Sequence, residues 1–187
     1  MKKTLLWAGL FALGSLLTST NALADEFRLS SPSLIEGGML GKNQVFQGFG
    51  CQGDNISPAL TWENPPIGTK SFAITMYDPD APSGSGWWHW VVYNLPANIR
   101  HLAPNAGEVS GKNLPTGSQQ ARTDFGTRGY GGACPPVGHG MHRYQWIVHA
   151  LDVAQLPVSN DASPALIGFM LGQHRLGRAQ LTSVYTR

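Results

Sequence analysis

Apolar positions in this chain come in short runs, and glycine and proline break them before a long helical pattern can build. Ser71 to Tyr77 is apolar and rich in strand-forming residues, and Trp88 to Tyr93 is aromatic and β-branched. From Tyr144 to Leu151 the residues alternate, with Trp146, Val148 and Ala150 on one face. All three read as strands. A shorter strand is predicted around Leu60 to Trp62, between the turn sequences Asn55-Ile56-Ser57-Pro58 and Glu63-Asn64-Pro65-Pro66. One segment departs from this pattern. Ser163-Pro164 has the form of an N-cap followed by proline at the first helical position. The spacing of Leu166, Phe169, Met170 and Gln173 then predicts a helix running to about Gln180, with Leu181 to Tyr185 as a closing strand. No repeat or linker interrupts the chain, so the pattern predicts a mainly-β single domain.

The N-terminus lies outside that domain. Met1-Lys2-Lys3 is a basic start, Leu5 to Leu17 is apolar, and Ala22-Leu23-Ala24 is a small-x-small cleavage site. Residues 1–24 therefore read as a secretory signal peptide, leaving a single domain over 25–187. The apolar run is short for a bilayer span, and no second one follows, so no membrane span is expected after cleavage. The mature chain is expected to be exported, and periplasmic in a bacterium.

Removing the leader also changes the charge. The full chain has 13 Lys+Arg against 11 Asp+Glu, and the leader takes away Lys2 and Lys3 but no acid, leaving 11 against 11. A formally neutral chain argues against a nucleic-acid partner, which calls for a basic patch. Cys51 and Cys134 are the only cysteines, and both lie in Gly/Pro-rich loops. In an oxidising compartment they are expected to form a disulfide. A redox pair would favour a Cys-x-x-Cys spacing, which is absent.

Two dense blocks carry the candidate chemistry. The first is Asp78-Pro79-Asp80-Ala81-Pro82 followed by Trp87-Trp88-His89-Trp90. The second is Gly131-Gly132-Ala133-Cys134-Pro135-Pro136 followed by His142-Arg143-Tyr144. Stiff loops with fixed polar groups suit the walls of a small pocket. Strand alternation places His142 and Tyr144 on one face, and it turns Trp88 and Trp90 away from His89. Asp78-x-Asp80 could belong to an aspartyl phosphotransferase, but the chain lacks that class's alternating strand–helix pattern. His139-x-x-His142 could be half a metal site, yet no third ligand stands in the segment. A serine hydrolase would show Gly-x-Ser-x-Gly, which does not occur. The blocks fit an anion pocket better, with glycine-loop N–H groups, imidazoles and a phenol as donors. In such a pocket Asp78 makes sense as the group that orients or charges a histidine.

These blocks resemble the two signature regions of the phosphatidylethanolamine-binding proteins, also called Raf-kinase-inhibitor-like proteins. Asn55-Ile56-Ser57-Pro58-Ala59-Leu60-Thr61-Trp62 and Arg122-Thr123-Asp124-Phe125-Gly126 resemble the bacterial branch of that family. The resemblance implies an antiparallel β-sandwich of a large and a smaller sheet, with the C-terminal helix beside a cavity for phosphate-like anions or phosphoethanolamine head groups. It implies that Asp78, His89, Pro136, His142 and Tyr144 line the cavity, and that Ala81, Pro82, Trp87 and Gly132 form its walls. Asp80 and His174 are further candidates, Arg143 is expected to be a structural charge partner, and Cys134 to staple the rim.

No cofactor is implied. The expected function is that of an exported binding protein for a small anionic or phosphorylated ligand, not an enzyme. The alternatives are a protein-interaction module inhibiting a kinase or protease, and an unrecognised hydrolase using Asp78 and His142 as acid and base. An export signal argues against a native role on a cytosolic kinase.

Overall fold

The computed structural model describes residues 26–187, so the expected signal segment and cleavage site lie outside the described residues. Ten strands and one α-helix follow one another among those residues. The strands are β1 (Arg28–Ser30), β2 (Gln47–Gly48), β3 (Cys51–Gln52), β4 (Leu60–Glu63), β5 (Ser71–Asp78), β6 (Trp87–Pro96), β7 (His101–Leu102), β8 (Gln119–Gln120), β9 (His142–Leu151) and β10 (Arg175–Tyr185). The helix α1 (Pro164–His174) lies between β9 and β10.

β5 is the centre of a five-stranded sheet ordered β10-β9-β5-β6-β8, with every pairing antiparallel. Its near-continuous apolar sequence follows from that position, because both faces are covered. Phe72, Ile74 and Met76 face one way, together with Trp146 and Val148 of β9. There they pack against Leu60 and Trp62 of a three-stranded sheet ordered β1-β4-β7. Ala73 faces the other way, toward Ile167 and Leu171 of α1. The fold is thus mainly β, a large and a smaller antiparallel sheet packed together with a two-stranded β2–β3 ribbon and one C-terminal helix among the described residues.

The helix differs from expectation in length and orientation. Ser163 caps it, its Oγ accepting from Leu166 N at 3.2 Å, and Pro164 opens the first turn. It ends at His174 rather than near Gln180, and β10 begins at Arg175. The cause is tertiary. Ala179, Leu181 and Ser183 are buried at a period of two, opposite Val148, Trp146 and Tyr144 of β9, so this stretch gains more as an edge strand than as helix. The buried face of α1 is Ile167 and Leu171, whereas Leu166 and Phe169 are exposed. Apolar side chains on several sides of the helix leave spacing alone unable to select the inward face.

Candidate functional site

One cavity, of about 210 Å³, opens where β5 ends, β6 begins and β9 begins, on the face of the large sheet that also bears Met76 and Trp146. Each polar group in it is set by strand geometry. Asp78 is the last residue of β5, and His142 and Tyr144 share the inward face of β9.

His89 reaches the cavity through a β-bulge. Tyr77 pairs with Trp88 and Met76 with Trp90, leaving His89 as the extra residue on β6. The bulge corrects the simple alternation. Trp88 does turn away, its ring tilted against that of Tyr77, but Trp90 joins the same core as Met76 and Trp146 on the side of His89.

The histidines play different parts. His89 Nδ1 donates to Gly131 O at 2.8 Å, and Gly131 N returns a bond to His89 O at 2.9 Å. Burial pushes the His89 pKa down to about 4, against the opposing pull of the Gly131 carbonyl and Asp78, so the ring is neutral near pH 7. His142 Nδ1 donates to Asp78 Oδ2 at 2.7 Å, and its Nε2 lies 2.7 Å from His139 Nδ1. Asp78, His142 and His139 therefore form a hydrogen-bonded chain from a buried carboxylate to an exposed imidazole. The other Asp78 oxygen, Oδ1, accepts from Asp80 N at 2.8 Å. Both carboxylate oxygens are thus occupied by donors, which offsets the charge that would otherwise repel an anion.

Two donors at the cavity are left without acceptors. Tyr144 Oη and Trp87 Nε1 are buried, belong to lining residues, and have no hydrogen-bond partner. Burial, with the nearby Asp78 carboxylate second, raises the Tyr144 pKa far above the ordinary phenol range, so the hydroxyl keeps its proton. An unsatisfied buried donor costs about 1–3 kcal/mol, a cost that a bound acceptor would remove.

Asp78, Ala81, Pro82, Trp87, His89, Pro136, His142 and Tyr144 all line this cavity, so the two sequence blocks come together. Three expected residues stand elsewhere. Gly132 is not in the wall. Its N–H donates to Asn55 Oδ1 at 2.7 Å, and a Cβ there would come within 2.4 Å of Gln44 O, so glycine is required by close packing against the Gln44–Phe46 backbone. Asp80 turns outward to Arg143, which binds it through Nε at 2.8 Å and Nη2 at 2.7 Å. The Arg143 side-chain hydrogen bonds hold the Asp80 carboxyl at about 2. His174 ends α1, bonded to Asp152 Oδ1 at 3.0 Å. Contrary to expectation, α1 covers the opposite face of the large sheet, and no helix residue lines this cavity.

Sequence reasoning missed the aromatic wall. Phe49 and Phe125 line the cavity with Ser83 and Pro135, and Phe125 meets His89, Trp87 and Phe49 with ring centroids 5.3, 5.5 and 5.9 Å apart. Gly48-Phe49-Gly50 was the available signal for Phe49, which holds a positive φ of 52° in the β2–β3 turn, uncommon for a bulky residue. Cys51 and Cys134 are bonded, with Cα atoms 6.0 Å apart, and Cys134 lies in the cavity wall. Among the described residues, no group of three or more His, Cys, Asp or Glu is placed to hold a metal ion.

Comparison with known proteins gives one consistent answer. A family model described as phosphatidylethanolamine-binding protein matches residues 30–186. The chain is 50% identical over 165 residues to the UPF0098 protein YbcL of Escherichia coli K12, covering 88% of this chain and 90% of YbcL. It is 51% identical over 159 residues to YbhB of the same organism, covering 85% of this chain and 99% of YbhB. The crystal structure of YbcL, described as a new member of the mammalian PEBP family, matches with a TM-score of 0.85 over 87% of this chain and 99% of that one. A Chlamydia trachomatis PEBP homologue, 28% identical, matches with a TM-score of 0.71 over 86% of this chain and 97% of that one. The chain belongs to the phosphatidylethanolamine-binding protein family.

Proposed function

We propose that the protein is an exported, non-enzymatic binding protein whose cavity takes a small anion, either phosphate or a phospholipid head group of the phosphoethanolamine kind. The observation that carries this reading is the pair of buried, unsatisfied donors, Tyr144 Oη and Trp87 Nε1, in a cavity whose carboxylate is already spent on other donors. An anion's oxygens would satisfy both donors, and Phe49, Phe125 and Pro82 would exclude water around them. The export reading rests on the N-terminal sequence and fits the Cys51–Cys134 bond, because disulfides persist in oxidising compartments.

Calorimetric titration of the protein with phosphate and with phosphoethanolamine tests the reading. Tyr144→Phe should weaken binding by roughly tenfold or more, the usual consequence of losing a hydrogen bond to a charged group. Asp78→Ala should weaken it too, although a negative charge is removed, because His142 loses the partner that fixes its ring. Unchanged affinity in Tyr144→Phe, or tighter binding by a folded Asp78→Ala protein, would overturn the anion reading.

The same preparation should turn over no phosphate ester, peptide or carboxyl ester. His142 Nε2 is engaged by His139 rather than by a hydroxyl or thiol, so no nucleophile stands at the end of the chain. Turnover abolished by His142→Ala would favour a hydrolase. One observation favours a protein-interaction role alongside binding. Phe49, Val137 and Met141 on loops around the cavity are 67%, 78% and 59% exposed. A protein that copurifies and is lost in Phe49→Ser would support that role.

A further inference from the structure

A second cleft, of about 560 Å³, lies on the opposite face of the large sheet, between that sheet and α1. Its lining separates into chemically distinct parts. Trp88 from β6, Ile147 from β9 and Pro164 and Ala165 from α1 supply apolar surface, with the buried Leu171 behind them. Arg175 and Arg178, at the start of β10, stand at one margin, and both are exposed without a carboxylate partner among the described residues.

The lining also holds a buried histidine. His149 Nε2 lies 3.2 Å from Thr75 Oγ1, and its Nδ1 is buried with no partner. If Thr75 donates to Nε2, the remaining ring N–H presents a partial positive charge in the same wall as the arginines. Desolvation first, then Arg175 and Arg178, lower the His149 pKa to about 3, so the ring itself carries no charge near pH 7.

The cleft is lined from Ser163 at the start of α1 to Arg175 just beyond its end, and the helix's 11 residues span about 16 Å at 1.5 Å per residue. The site is therefore elongated. Asp124 lines it as well, and its carboxylate is held by Trp88 N at 2.7 Å. A ligand with a negative group beside Asp124 would be repelled there.

We propose that this cleft is a second binding site, for an elongated apolar molecule with a single anionic head, the head held by Arg175 and Arg178 and the body laid on Trp88, Ile147, Pro164 and Ala165. Two guanidiniums with no ion pair can form bidentate bonds to a carboxylate, and the adjacent apolar strip is suited to a hydrocarbon or ring. The proposal does not depend on the anion reading of the first cavity.

Neighbouring tryptophans on opposite faces report on the two sites separately, since Trp87 lines the first and Trp88 the second. The protein labelled with nitrogen-15 would be titrated with sodium decanoate below its micelle-forming concentration, and the indole N–H signals followed by NMR. The Trp88 signal, assigned with Trp88→Phe, should shift saturably while that of Trp87 stays in place. Arg175→Gln/Arg178→Gln should weaken decanoate binding by about tenfold or more, through loss of charged hydrogen bonds. Phosphoethanolamine should still act on the double variant as on the parent. Decanedioate, with a charge at each end, should bind more weakly than decanoate. A shift that never saturates, one centred on Trp87, or equal decanoate affinity in parent and double variant would overturn the proposal.

Discussion

Taken from pH 7 to pH 4, the protein should lose about 6 kcal/mol of unfolding free energy through two buried histidines alone. His89 and His149 are 3% and 6% exposed, and burial lowers their pKa values to about 4 and about 3. In the unfolded chain both rings would take a proton near the ordinary value of about 6.5. Below that pH the unfolded state binds more protons than the folded one, so stability falls as pH falls. The loss begins near the unfolded value, is nearly complete for His89 around pH 4, and continues for His149 to about pH 3. Asp80 acts in a lower window. Its carboxyl is held at about 2, so the stability it contributes above the unfolded value near 3.8 is lost mainly below pH 4. Urea denaturation at pH 7, 5.5 and 4 would measure the effect, and His149→Gln should flatten roughly half of the dependence. A midpoint that stays constant across this range would show that neither ring is held neutral by burial.

Loss of the Cys51–Cys134 bond should cost about 4.5 kcal/mol, the loop-closure value for a bridge across a segment of this length. The sequence separation is 83 residues, so the cross-link removes a large part of the unfolded chain's freedom. For a chain of this size the melting temperature should fall by roughly 10 °C in Cys51→Ala/Cys134→Ala. Thiol labelling of the unfolded, unreduced protein should find no free thiol. The bond also has a local consequence. It ties the β2–β3 turn, which carries Phe49, to the loop that carries Pro135 and Pro136, and all three residues line the first cavity. Phosphoethanolamine binding should therefore weaken in the double variant even well below its melting temperature. Equal melting temperatures for the oxidised parent and the double variant would contradict the entropic argument.

The strands from 71, 88 and 144 were legible because β-branched and aromatic runs bounded by turns have few other ways to bury their side chains. The pairing of two cysteines in Gly/Pro loops was legible too. So were the two blocks that meet at the first cavity, since each puts stiff loop residues at a strand end. Arg143 read as a charge partner because strand alternation turns it away from His142 and Tyr144, and the structure pairs it with Asp80.

What the sequence left open depends on contacts between distant segments. The side of β6 that Trp90 faces was decided by a bulge opposite β5, which breaks the alternation that local reading assumes. The end of α1 was decided by β9, whose edge offered Ala179, Leu181 and Ser183 a pleated, half-buried partner. Gly132 was set by the approach of the Gln44–Phe46 backbone, which leaves no mark in the local pattern. Phe49 carried a local mark, the glycines on either side of it, but its place in the cavity wall depends on the link from Cys51 to Cys134, 83 residues away in sequence. Periodicity reports which residues seek burial, but only the assembled sheets decide which neighbour each one meets, and therefore which face of the large sheet holds each cleft.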